Sequence, residues 1–282
     1  KVSAFVSRNI MLKTSRFFSK GKKKNQGLST AAKDQVNETK KLLEADKWAV
    51  AEPIIKELHK KNPHNADACW LFGRLVARKG DTDKAVHHYN HCLELDDTHS
   101  DCYFDCGQIY GELKRYGEEG EMYEKCLELN PNHHAAHYHF ARLCDIRSDF
   151  QRSEKHYQEA IRLNKQSALY YISYGASLKT RRRNEEALKN FQLALVIDPQ
   201  SDIAYFHCSK VLQSMNRLDD AIENIKKAIR INPKPQYTAI LHKLNITKPK
   251  QKTPGLHKAH TMGIVLNRAS LDETDANESK QA

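Results

Sequence analysis

The chain has 282 residues, with 46 Lys and Arg against 35 Asp and Glu, a formal net charge of +11, and 39% hydrophobic residues. Eleven Gly and eight Pro are too few for a collagen-like or low-complexity chain. The longest stretch without a charged residue, between Lys165 and Lys179, has thirteen residues, too few to span a bilayer as a helix. Seven Cys, an odd number without dense spacing, argue against a disulfide-stapled secreted fold.

In chain order, residues 1–31 form a basic arm. Positions 1–33 hold nine Lys and Arg, among them Arg8, Lys13, Arg16, Lys22, Lys23 and Lys24, and no carboxylate. A basic, Ser-containing, acid-free segment reads as a mitochondrial targeting sequence; the alternative is a disordered basic arm. Such uncompensated charge could also contact anionic lipid or RNA. Residues 34–246 carry 31 charges of each sign, so the excess of +11 belongs to the two ends. Within 32–246 a period of 34 residues is readable in the pairs Asn62-Pro63, Asp96-Asp97, Asn130-Pro131, Asn164-Lys165, Asp198-Pro199 and Asn232-Pro233. Each pair ends an apolar-periodic run such as YEKCLELNP or IKKAIRINP. Pro there stops a helix because it donates no hydrogen bond and biases its predecessor away from helical geometry. A second helical run lies upstream in every unit. The units are 32–65, 66–99, 100–133, 134–167, 168–201 and 202–235; residues 236–246 supply one more helix, as a capping element requires. The tail, 247–282, has Pro249, Pro254 and Gly255 early, an apolar patch at 262–266, and the acidic run DETDANESKQA late.

These units resemble tetratricopeptide repeats (TPR). Gly73, Gly107, Ala141, Gly175 and Ser209 form a small-residue column on the first helices. Ala51, Ala85, Ala187 and Ala221 form another on the second, with Glu119 and Ser153 departing from it. Bulky columns face them: Phe72, Cys106, Phe140, Tyr174 and Cys208, then Ile55, Tyr89, Tyr123, Tyr157, Phe191 and Ile225. The first unit is the weakest, with Glu38 and Thr39 at its bulky and small places. The resemblance implies an all-α, right-handed α-solenoid of six helix-turn-helix units with a C-terminal capping helix and extended tails.

No CxxC pair, zinc-ligand spacing, Gly-rich phosphate loop or nucleophile elbow is present, so the expectation is a non-catalytic protein without cofactor or metal. The Cys fit columns that want small apolar residues. What the resemblance implies is binding, with a helix or peptide of a protein partner in a groove lined by the first helices. The column Trp70, Phe104, Tyr138, Ile172 and Phe206 falls on that groove, flanked by Arg74, Arg142 and Lys210. Large apolar groups in a concavity suit a partner segment; the competing reading is lateral packing between repeats. The groove lacks the carboxylate-clamp pattern and the Asn ladder of other TPR arrays. Arg181, Arg182 and Arg183 lie in the turn of the fifth unit and read as a solvated turn or an anion contact. Together these point to a scaffold subunit of a large mitochondrial assembly, such as a respiratory-chain complex, ATP synthase or mitoribosome. A soluble or ciliary adaptor and an RNA-binding factor remain as alternatives.

Overall fold

A computed structural model describes residues 25–247. The arm residues Arg8, Lys13, Arg16, Lys22, Lys23 and Lys24, and the tail from 248 onward, lie outside the described residues.

Among the described residues there are thirteen α-helices and no strand. Six pairs follow the 34-residue period: α1 (Thr30–Glu44) with α2 (Trp48–Lys61), α3 (Ala66–Arg78) with α4 (Thr82–Leu95), α5 (Ser100–Glu112) with α6 (Tyr116–Leu129), α7 (His134–Ile146) with α8 (Phe150–Leu163), α9 (Ala168–Thr180) with α10 (Asn184–Ile197), and α11 (Asp202–Ser214) with α12 (Leu218–Ile231). The last helix, α13 (Pro235–Thr247), packs on α12 as the expected cap. Contacts divide the chain into two compact units at Asn164, the first holding α1–α8 and the second α9–α13.

Local chemistry sets the helix ends. Asn65 and Ser201 cap α3 and α11 with side-chain oxygens, accepting from the N–H groups of Ala68 and Ala204. At the same place in the period, His99 and His133 cap α5 and α7 through Nδ1, each accepting a backbone N–H at 3.1 Å. The turn within each pair contains one residue in the left-handed region: Asp46, Gly80, Lys114, Ser148, Arg182 and Asn216, again 34 apart, at φ between +54° and +83°. Only one is Gly, so five turns carry the strain of an L-residue there.

Packing within each pair depends on the small column. A Cβ on Gly73 would stand 2.6 Å from the ring of Tyr89, and one on Gly107 2.6 Å from Tyr123, so these rings lie directly on backbone. The bulky second-helix column is buried throughout. The departures from the small column find local solutions. Ser153 Oγ donates to Asp145 Oδ1 at 2.5 Å. Glu119 is buried over Gly111, whose hypothetical Cβ would lie 2.9 Å from its carboxylate. Burial raises the Glu119 pKa, although Arg147 and Arg142 act to lower it. In the first repeat, Thr39 is buried and Oγ1 donates to the Gln35 carbonyl. All seven Cys are buried thiols outside any disulfide.

The last residues of the arm are tied down. Gln26 N–H donates to the His64 carbonyl at 3.0 Å, Asn65 Nδ2 donates to the Gln26 carbonyl at 2.8 Å, and Leu28 packs on the core.

Candidate partner-binding face

The first helices of successive repeats touch side by side within each unit, α3 with α5 and α9 with α11. Their sides turned away from the second helices form the candidate face, and the two units furnish it differently.

In the first unit, much of the aromatic column is engaged between repeats. Trp70 is only 3% exposed. Its Nε1 donates to Asp105 Oδ2 at 2.7 Å, joining α3 to α5. The Arg74 guanidinium lies 3.4 Å from the same carboxylate oxygen and 5.3 Å from the Trp70 ring. Lys40 covers the indole at 4.9 Å and pairs with Asp67 at 3.3 Å, and the His99 ring stands 5.0 Å away. Burial pushes the Asp105 carboxyl up to about 6, while Arg74 and the indole N–H pull it down. Tyr138 is also buried, beside His139 and Tyr157, with Arg142 exposed over its ring at 5.8 Å. Phe104 is half-buried, 4.6 Å from His133 and 5.5 Å from His139. The structure thus places Trp70, Phe104, Tyr138, Arg74 and Arg142 along one face. It buries the two largest side chains of the column, Trp70 in a contact between repeats and Tyr138 against Tyr157 of its own repeat.

In the second unit, Ile172 and Phe206 are half-buried. One turn earlier on each helix, at spacing i−3 and hence on the same side, Leu169 is 54% and Ile203 46% exposed. Lys210 lies 5.4 Å from the Phe206 ring, and Lys179 is half-buried nearby. Burial and the Lys210 charge both depress the Lys179 pKa. Neither lysine has a carboxylate within ion-pair distance among the described residues. Helix α9 has no acidic residue, and Asp202, the one carboxylate of α11, is held by Lys234 at 2.7 Å and by the Tyr237 hydroxyl at 2.9 Å. His207 stacks on Phe191, and its buried Nδ1 has no hydrogen-bond partner among the described residues. In the turn after α9, Arg183 pairs with Glu186 and Arg182 is exposed.

Leu169 and Ile203 were absent from the sequence-derived site. The signal was available, three places before the aromatic column, where repeats two and three carry Asp67 and Asp101 instead. Among the described residues no group of three or more His, Cys, Asp or Glu is placed to hold a metal ion, and no helix is long and apolar enough to cross a membrane.

Paired helices in tandem, with an accessible first-helix face, define a helical-repeat scaffold. Family models described as tetratricopeptide repeat match residues 66–99, 100–133, 203–235 and 147–202, together more than half of the chain. The chain belongs to the tetratricopeptide repeat family, whose arrays mediate protein–protein interactions. The comparison with curated proteins gives no significant match. Among solved structures, it is similar to YrrB, described as a TPR protein with an unusual peptide-binding site, at 22% identity and TM-score 0.56, covering 67% of this chain and 97% of that one. It is also similar to a chain of the APC/C hetero-tetramer Cut9-Hcn1, at 16% identity and TM-score 0.65, covering 76% of this chain and 42% of that one. A third is pilF of Pseudomonas aeruginosa, at 14% identity and TM-score 0.66, covering 76% and 97%. At these identities the likeness is one of fold.

Proposed function

We propose that the chain is a non-catalytic scaffold that binds a protein segment on the first-helix face of repeats five and six. The observation that carries this reading is the exposure of Leu169 and Ile203 beside Ile172 and Phe206, next to two lysines without carboxylate partners among the described residues. Apolar side chains in water beside unneutralised charge favour a segment that buries the first and pairs with the second. In the first unit, Phe104 and Arg142 offer a smaller contact, because Trp70 and Tyr138 are buried already. The peptide-binding site reported for YrrB supports the same use of the fold.

On the same reading, the scaffold is a subunit of a large mitochondrial assembly. Supporting this are the nine Lys and Arg without a carboxylate in residues 1–33. The same arm would contact anionic lipid or RNA, an interaction that weakens steeply with salt.

The test is quantitative co-purification of the full chain from mild detergent extracts of mitochondria, compared with Ile172→Ala/Phe206→Ala. The variant should keep its helical circular dichroism and lose the associated proteins, whereas Lys226→Ala on α12 should keep them. Equal recovery from all three chains would reject the face. Import of a reporter carrying the protein's N-terminal region tests the compartment; a reporter left in the cytosol rejects it.

A further inference from the structure

The chain itself contains a segment with the chemistry that the face of repeats five and six lacks. All four carboxylates of residues 247–282 fall at Asp272, Glu273, Asp275 and Glu278. No Lys or Arg lies between Arg268 and Lys280, and apolar residues precede the acids at Met262, Ile264, Val265, Leu266 and Leu271. Apolar side chains followed by carboxylates match the apolar stripe of Leu169, Ile172, Ile203 and Phe206 beside Lys179 and Lys210.

Chain connectivity favours the encounter. The described chain ends at Thr247 on α13, which packs directly on repeat six. Only 24 residues separate Thr247 from Leu271. A stretch of 24 residues reaches at most about 80–85 Å, from about 3.3–3.6 Å per residue. Neighbouring packed helices lie about 10 Å apart, so α9 and α11 are well within reach. Tethering at such a length gives an effective concentration on the order of millimolar, so a contact that is weak between separate molecules is populated within one.

We propose that residues 262–278 dock in cis on the first-helix face of repeats five and six. The contact places the apolar residues over the apolar stripe and the carboxylates at Lys179 and Lys210. The tail then competes with any partner for the same surface, and a partner must displace it. This rests on the reading that the face binds a protein segment, and it adds the occupant of the free chain. Competition in cis multiplies the association constant for a partner by the fraction of chains with the face vacant.

The burial of all seven native Cys allows a selective cross-linking experiment on the full chain. One cysteine is introduced in the acidic run by Thr274→Cys. A second is placed either on the inner side of α11 by Ser214→Cys or on the exposed α12 surface by Lys226→Cys, both at exposed positions. Intramolecular disulfide formation under a mild oxidant should be at least 10-fold faster for the α11 pair. The preference should disappear in Lys179→Glu/Lys210→Glu and return when Asp272→Lys, Glu273→Lys and Asp275→Lys are added to it. Circular dichroism confirms the fold of each variant, and Lys179→Gln/Lys210→Gln serves if charge reversal unfolds the chain. Equal rates for the two pairs, or a preference indifferent to the charges, overturns cis docking. If the rates are equal while Ile172→Ala/Phe206→Ala still loses its associated proteins, the tail proposal fails and the partner-binding face stands.

Discussion

The two units use one repeat differently. In the first, the face between repeats is closed on itself: Trp70 donates to Asp105, Arg74 and Lys40 cover the indole, and Asp67 receives Lys40. In the second, the corresponding places hold Ile172 and Phe206, with Leu169 and Ile203 exposed and Lys179 and Lys210 without a carboxylate partner among the described residues. A TPR column therefore does not define a binding surface by its position. Whether a partner finds purchase depends on the residues one turn away, which either consume the column or leave it open.

Acid should separate the units most strongly. Burial holds six His of the first unit below their ordinary value: His59, His88, His133, His137, His139 and His156. Of these, His88, His139 and His156 reach about 4; in the second unit only His207 is so lowered. Such groups remain neutral in the folded chain while the unfolded chain protonates near 6.5. Their stabilisation is complete above that pH and is lost as pH falls from about 6.5 towards 4. Asp105 and Glu119, raised by burial, act in the opposite sense but are outnumbered. The hydrogen bonds agree. His137 Nε2 donates to the Pro131 carbonyl at 3.0 Å, so in the neutral ring its Nδ1 accepts from His156 Nδ1 at 2.9 Å, a bond that is lost when both rings are protonated. The helix cap at His133 likewise needs an unprotonated Nδ1. Hydrogen exchange, corrected for intrinsic rates, should show α3–α8 opening at a higher pH than α9–α12. Simultaneous opening, or the reverse order, contradicts the contrast.

Next in size is the indole. Trp70→Ala removes a buried aromatic side chain, for about 3–5 kcal/mol, and leaves Asp105 without its best donor. Phe206→Ala removes a half-buried ring, for about 1–2 kcal/mol. Urea unfolding of both variants measures the difference. A Trp70→Ala cost no larger than that of Phe206→Ala would mean that the first-unit face is as open as the second.

The 34-residue spacing made the six pairs, the cap and the small and bulky columns legible, because one helix register repeats without insertion. It located Trp70 but not its depth. That depth depends on Asp105, 35 residues later, turning its carboxylate to the indole. Leu169 and Ile203 were hidden by attention to the aromatic column, although the same register marks them as the aliphatic counterparts of Asp67 and Asp101. The anchoring of Gln26 at His64 and Asn65 was beyond sequence reading, since it rests on backbone groups. Glu119, which breaks the small column, is explained only by the space above Gly111.

Charges on the faces provide a smaller test. Arg74 lies beside a buried carboxylate, so Arg74→Gln should cost about 1–3 kcal/mol. Lys179 is half-buried and repelled by Lys210, so Lys179→Gln should change stability by no more than about 0.5 kcal/mol, in the stabilising direction. The same substitution should weaken partner association. Denaturation midpoints and co-purification yields, read together, distinguish a structural cation from a recognition cation.

The smallest effect sits in the turns. Ser148 in the first unit and Arg182 in the second occupy equivalent left-handed positions, at φ +60° and +61°, and both are exposed. Replacing either with Gly relieves a steric penalty of about 1–2 kcal/mol and adds a backbone-entropy cost of about 0.5–1 kcal/mol. A net gain of about 0.5 kcal/mol is expected at both, and thermal melting resolves it. Because the backbone contribution is common to the two turns, any difference between them reports the side chain. If Ser148→Gly and Arg182→Gly stabilise equally but only the second lowers partner association, the Arg182 charge belongs to the basic surface of the second unit. If neither affects association, recognition is confined to the side of α9 and α11 that carries Lys179 and Lys210, and the arginine turn is a solvated one.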